Sequence, residues 1–293
     1  MKIENSVKTV FLIVFMTGIF IVVGSAIGGR SGIILALGIS LAMNLIMYWF
    51  SDKIVLSMHR AQPIGPGHSS GVFEIVRDLA ERDGLPMPRV YIIPQVVPNA
   101  FATGRDPAHS AIAVTEGIVR LLDPRDLRGV LAHEMSHIKN RDTLISMLVA
   151  GVASAIMHLA NIARWAMIFG GVRSDDRNGR NPLVMLLAII VAPIAALLVQ
   201  MWISRTREFE ADASAARLTV DPEALASALE KISNPALIQR IAQAGAMPQT
   251  SPAFNHMYIV NNFSGQSFLK LFSTHPAAAE RIKRLREMIG IRA

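Results

Sequence analysis

Apolar residues run almost unbroken from Val10 to Ile27 and again from Ser31 to Phe50, bounded by Lys8, Arg30, Asp52 and Lys53. Each run is close to the roughly 20 residues that cross a bilayer core as a helix. The turn Gly28-Gly29-Arg30 between them is so short that the two must form a hairpin. A cleaved signal peptide is the rival reading of the first run. The second run directly behind it, and the want of a convincing A-x-A cleavage site, favour two N-terminal transmembrane helices. Two later stretches are also uncharged, Thr143 to Ala163 and Asn181 to Ser204, the latter with Pro193 as a kink. The polar turn Gly170 to Pro182 separates them, and His158, Asn161 and Gln200 interrupt them. They read either as a second membrane-spanning hairpin or as a buried helical hairpin inside a globular domain.

The polar remainder falls into two pieces, Asp52 to Asp142 and Arg205 to Ala293. Val72, Ile75, Val76 and Leu79 recur at helical spacing, which predicts an amphipathic helix over Ser70 to Glu81 closed by Gly84. Arg89 to Pro94 and Ala111 to Thr115 read as short strands, and Asn99 to Gly104 is strand-like between turn residues. Asp123-Pro124 is an N-cap followed by proline at the first helical position. Asp221-Pro222 repeats that device ahead of Glu223 to Ile232, and His275-Pro276 opens a last helix, Ala277 to Ile289.

Composition adds weight to the membrane reading. Of the 293 residues 52% are hydrophobic and only 17% charged, where a soluble domain has about 25% charge; mean hydropathy is +0.39. The net charge of +7 comes from scattered basic residues with no arginine-rich run, which suits anionic lipid headgroups and argues against nucleic acid as a partner. There is no cysteine. That excludes disulfides and thiolate metal sites, leaves His, Asp and Glu as metal ligands, and fits a reducing compartment.

The helix opened by Asp123-Pro124 contains His133-Glu134-Met135-Ser136-His137. Residues four apart share a helix face, so both imidazoles can reach one metal. Glu134 can turn its carboxylate to a water that the metal activates and take its proton. Val130, Leu131, Ala132 and Ile138 make the flanks apolar, and a buried His-Glu-His is costly unless a metal satisfies it. A catalytic zinc site needs a third protein ligand and one open position. The best candidate is Glu208, in Ser204-Arg205-Thr206-Arg207-Glu208-Phe209-Glu210-Ala211-Asp212. Glu208 and Asp212 share one face while Glu210 points away. Asp212 would then accept the outer N–H of a zinc histidine. A solvated charged helix is the alternative at this point.

His-Glu-Met-Ser-His followed by Ser-Arg-x-x-Glu-Phe-x-Ala-Asp resembles the HtpX-type membrane metalloproteases, relatives of the CAAX prenyl endopeptidases. Pro98 to Gly104, Ala113 to Gly117 and Thr274-His275-Pro276 match as well, so the resemblance runs over essentially the whole chain. It implies a gluzincin with one zinc ion per chain held by His133, His137 and Glu208. It further implies a multi-pass protease of the bacterial cytoplasmic (inner) membrane that degrades damaged or misassembled membrane proteins under stress. Other membrane quality-control proteases are candidate partners on the same ground. The expected fold is a mostly α membrane protein: an N-terminal transmembrane hairpin (1–52), two halves of a zincin-like α+β protease domain with a small sheet (53–142 and 205–293), and the second apolar hairpin (143–204) inserted between the zinc-ligand helices.

Three weaker assignments complete the site. The resemblance places a histidine at 275, where a proline-started helix could present it inward as the oxyanion donor beside zinc. Arg281 on the same helix is the candidate to orient a carboxylate instead. Asn99, Ala100, Phe101 and Ala102 could pair with an extended substrate as an added strand, or form an ordinary edge strand. Basic residues flanking the first hairpin place both its ends, and hence the catalytic residues, in the cytoplasm; Arg173, Arg177 and Arg180 in the second turn weigh slightly against this. A transporter or channel is the rival class, but it leaves the His-Glu-His and Glu-Asp pairs outside the apolar runs unexplained. A catalytically silent scaffold would not need every ligand and the base.

Overall fold

A computed structural model describes residues 3–144, 205–243 and 277–290. Almost all of the later apolar hairpin (143–204), and His275, lie outside them. The two N-terminal apolar runs form one helical stretch, α1 (Ile3–Met58), and it doubles back. The Ser40 hydroxyl lies 3.1 Å from that of Thr17, although a straight helix would hold them about 34 Å apart. Gly29, with φ 55, lies between them. Ile34, Leu35, Leu41 and Leu45 are each more than half exposed. Among the described residues no single helix is long and apolar enough to cross a membrane; the bent pair Gly29–Met43 and Tyr48–Met58 meets that test only jointly.

Met1–Trp49 belongs to one compact unit and Phe50–Leu144 to another, which also holds the described residues after 204. The second unit contains a four-stranded sheet in the order β1-β2-β4-β3: β1 (Gln62–Ile64), β2 (Arg89–Ile93), β3 (Ala100–Gly104) and β4 (Ser110–Thr115). β2 runs parallel to β4, while β1 and β3 pair antiparallel to their neighbours. The strands expected near residues 89, 99 and 111 are present. β1, only three residues long and containing Pro63, has too few positions to show an alternation.

Helices cover the sheet. α2 (Val72–Asp83) buries Val72, Val76 and Leu79, and Gly84 ends it in the left-handed region, its N–H returning to the Ala80 and Glu81 carbonyls. That φ of 64 suits glycine. Beyond a short α3 (Glu116–Leu121) comes α4 (Pro124–Asn140), whose N-cap Asp123 accepts the Asp126 N–H at 2.9 Å. The later helices are α5 (Arg205–Thr219), α6 (Pro222–Ile232), α7 (Pro235–Gln243) and α8 (Ala278–Gly290). The mostly helical architecture with a small sheet is as expected.

α4 is the central element. Leu131, Met135 and Ile138 are fully buried in a core shared with Leu79, Ile112, Leu225 and Leu285, each large apolar side chain contributing about 1.5–3 kcal/mol. At Gly129 a Cβ would lie 2.6 Å from the Leu225 backbone nitrogen, so α4 and α6 meet backbone to backbone one turn before His133. Ion pairs bind the rest of α4 to its neighbours: Arg128 with Asp78, Lys139 with Asp83, Arg125 with Asp221 and Lys231 with Asp123.

Candidate metal centre

The helical spacing of His133 and His137 brings their Nε2 atoms to 3.2 Å. Glu208, in the first turn of α5, points at the same spot. Its Oε2 lies 3.4 Å from His133 Nε2 and its Oε1 3.6 Å from His137 Nε2. These three residues form a cluster able to hold a metal ion. Glu210 is exposed, as expected from its position on the opposite face.

Each imidazole is held from behind. Nδ1 of His133 is 2.9 Å from Asp212 Oδ1, and Nδ1 of His137 is 3.2 Å from Asp142 Oδ2. With both Nδ1 atoms donating to carboxylates, both Nε2 atoms present lone pairs toward each other. Two lone pairs at that separation require a proton or a cation between them.

The donor set fits zinc. Ligands about 2.0–2.1 Å from a tetrahedral ion stand about 3.3 Å apart; the two Nε2 atoms are 3.2 Å apart, each has a different Glu208 oxygen at 3.4 or 3.6 Å, and one ligand atom from each residue lies within 4.8 Å of the other two. Electrostatics favour a cation there as well. Burial and the Arg281 charge push the His133 pKa down, but hydrogen bonds with Asp212 and Glu208 and the Asp212 charge outweigh them, raising it to about 9.

Arg281 of α8 closes the arrangement. Its Nε lies 2.8 Å from Asp212 Oδ2, its Nη2 2.6 Å from Oδ1, and its Nη1 3.5 Å from Glu208 Oε2. Burial opposes ionisation of Asp212, yet the Arg281 charge and the His133 hydrogen bond hold its pKa below the usual carboxylate value. Of the two suggestions made for the last helix, the carboxylate-orienting arginine is thus in place; His275 lies outside the described residues.

Glu134 is buried beside the cluster and its Oε2 accepts the Ala102 N–H at 2.9 Å. β3 is an edge strand, and the antiparallel alternation that turns Ala102 from β4 toward Glu134 turns Ala100 the same way. Asn99 precedes the strand. Its N–H donates to Thr115 Oγ1 and its carbonyl accepts the Thr115 N–H, both at 2.9 Å. Asp142 had not been anticipated. Its only sequence signal is a carboxylate five residues beyond the second histidine.

Two histidines one turn apart on a buried helix, a glutamate between them and a carboxylate from a second helix make the arrangement of a zinc peptidase. Comparison with known proteins identifies the family. The model of peptidase family M48 matches residues 68–289, and the chain belongs to that family; it is a metalloprotease. Relatives named "Protease HtpX homolog" include those of Pyrococcus furiosus (50% identical, covering 96% of this chain and 95% of the relative) and Paraburkholderia phytofirmans (50%, 97% and 97%). That of Desulfatibacillum aliphaticivorans is 49% identical over 96% of this chain and 89% of its own. The crystal structure of S. mikatae Ste24p is similar in fold, with a TM-score of 0.50 at 19% identity over 97% of this chain; this chain spans 66% of that one.

Proposed function

We propose that this chain is a zinc-dependent endopeptidase of the cytoplasmic membrane that hydrolyses peptide bonds of damaged or misassembled membrane proteins at the cytoplasmic face. The observation that carries the reading is the cluster of ligand atoms on His133, His137 and Glu208, with carboxylates behind both imidazoles. Those three residues would hold one zinc ion. When bound, zinc supplies Lewis acidity, polarising the scissile carbonyl and acidifying a water.

The chain's own groups do the rest. Glu134 takes a proton from the attacking water and returns it to the amide nitrogen as the C–N bond breaks, leaving a carboxylic acid and an amine. Asp212 fixes the tautomer and tilt of His133, and Arg281 fixes Asp212 with a two-pronged contact. The edge of β3 takes the substrate as an added strand, through the backbone groups that Ala100 and Ala102 turn away from β4, while Asn99 and Phe101 hold the strand to β4. Backbone pairing of that kind supports low sequence preference. His275 would stand at the start of α8 as the oxyanion donor.

The domain reading follows the same lines: an N-terminal transmembrane hairpin (1–52) precedes protease halves 53–142 and 205–293, and a second hairpin (143–204) is inserted between them. The outward apolar side chains of α1 support lipid as its surroundings, as do the two long uncharged stretches after Asp142. In sealed inverted membrane vesicles, externally added protease is expected to clip the polar segment after Asp52 without lysis. Protection there, with clipping in intact spheroplasts, would reverse the orientation.

A further inference from the structure

The two ligand histidines are buttressed alike, but only one buttress had a sequence rationale. Behind His133 stand Asp212 and Arg281. Behind His137 stands Asp142, whose Oδ2 is 3.2 Å from Nδ1 while its Oδ1 is 3.7 Å from Nη1 of Arg207. Asp142 and Arg207 are both buried. Arg207 is the residue before Glu208, so its side chain and the third ligand leave the same turn of α5.

Asp142 is held in place on both sides. Continued as a helix, residue 142 would stand about 140° around the axis from His137. Instead Arg141 adopts φ 60 and caps α4, its N–H returning to His137 and Ile138 carbonyls. Thr143 then donates from Oγ1 to the Gly104 carbonyl at 2.8 Å, tying the chain to the end of β3. This turn swings Asp142 back beneath His137. A non-glycine residue keeps a left-handed conformation only where its surroundings enforce it.

Resting on the zinc reading above, we propose that Asp142 and Arg207 are positioning residues of the metal centre. Asp142 orients the His137 ring through one oxygen, and through the other it holds Arg207 and so the register of Glu208 on α5 against α4. The pair joins the end of α4 to the start of α5, between which residues 145–204 intervene. An ion pair at this junction secures against each other the two helices that supply all three ligands.

The test uses the full-length protein in detergent, stripped of metal, with zinc affinity read by competition with a chromophoric chelator and the cobalt(II) protein read by its visible absorption bands. Asp142→Asn is expected to weaken zinc binding about 10–100-fold and to shift the cobalt bands. Arg207→Gln is expected to weaken it less, and Asp142→Asn/Arg207→Gln no more than Asp142→Asn alone, because the two act as a unit. Asp142→Glu retains the charge and is expected to fall between wild type and Asp142→Asn; equality with Asp142→Asn would assign the loss to packing and overturn the proposal. Wild-type affinity and cobalt bands in Asp142→Asn, or additive losses in the double variant, would overturn it too. Glu208→Gln separates the two levels. If it loses metal while Asp142→Asn does not, the positioning role fails alone; if it keeps metal at wild-type affinity, the ligand set itself is wrong.

Discussion

Arg281 grips Asp212 with two nitrogens, at 2.6 and 2.8 Å, although 69 residues separate them in sequence. Asp212 in turn holds His133 at 2.9 Å. A lysine at 281 would keep the charge and lose the fork. Arg281→Lys is therefore expected to weaken zinc binding by several-fold to about 100-fold while the zinc-saturated protein keeps its far-UV circular dichroism. Unchanged affinity would mean that Asp212 needs no second partner.

Glu134→Gln tests the base separately from the metal. The amide oxygen can still accept the Ala102 N–H, so fold and zinc content are expected to stay at wild-type level. Proteolysis is expected to fall at least about 100-fold, the usual scale for loss of a positioned proton acceptor. Activity within a few-fold of wild type at saturating zinc would remove Glu134 from the chemistry.

Glu208→Gln and Asp212→Asn are expected to differ in kind. The first removes a charged ligand and should abolish stoichiometric zinc binding, measured by metal analysis after gel filtration. The second disturbs only the orientation of His133 and should leave zinc bound, with an affinity about 10–100-fold weaker.

These roles were unevenly legible in the chain. The Asp123-Pro124 cap and the four-residue spacing reveal α4 and both histidines, because helix periodicity is local. Glu208 and Asp212 show the same spacing, but linking them to α4 needed the family resemblance, since nothing local joins helices more than sixty residues apart. Asp142 escaped notice because its place depends on the left-handed turn at Arg141, a conformation that arginine does not advertise. β1 was missed because three residues around a proline carry no period. The fold-back of α1 at Gly29 was readable, since two long apolar runs joined by so short a turn have one solution.

The ion pairs around α4 give the catalytic unit an acid limit. An arginine hydrogen bond holds Asp78 below its ordinary value, through Arg128, and Asp221 likewise, through Arg125. Asp123 is lowered first by the Asp126 N–H and then by Lys231. A carboxyl whose folded pKa is depressed adds stability above its unfolded value of 3.8 and loses it as pH falls through the lower, folded value. Thermal stability should therefore decline from about pH 4 downward. Asparagine still caps a helix but does not titrate. The triple variant Asp78→Asn/Asp123→Asn/Asp221→Asn should be less stable at pH 7 and show a shallower decline in acid; an identical pH profile would mean that these pairs contribute nothing.

Gly129→Ala probes the close approach that sets the height of His133. Its Cβ would meet the Leu225 nitrogen at 2.6 Å and the Ala224 carbonyl carbon at 2.9 Å, both backbone atoms that cannot rotate aside. A loss of about 1–3 kcal/mol is expected, as for other overpacked cores, seen as a lower denaturation midpoint of the zinc-loaded protein. A midpoint equal to that of wild type would show that α4 and α6 have room to separate.

The most direct test of the zinc peptidase site is cleavage of a purified membrane-protein substrate by full-length protein in detergent. The wild type is stripped with chelator and assayed before and after one equivalent of zinc, beside zinc-loaded Glu134→Gln. Cleavage is expected only in the zinc-restored wild type, at about 100-fold or more above the variant. Cleavage that persists at full rate in metal-free wild type, or in zinc-loaded Glu134→Gln, would contradict a metal centre built on His133, His137 and Glu208 with Glu134 as its base.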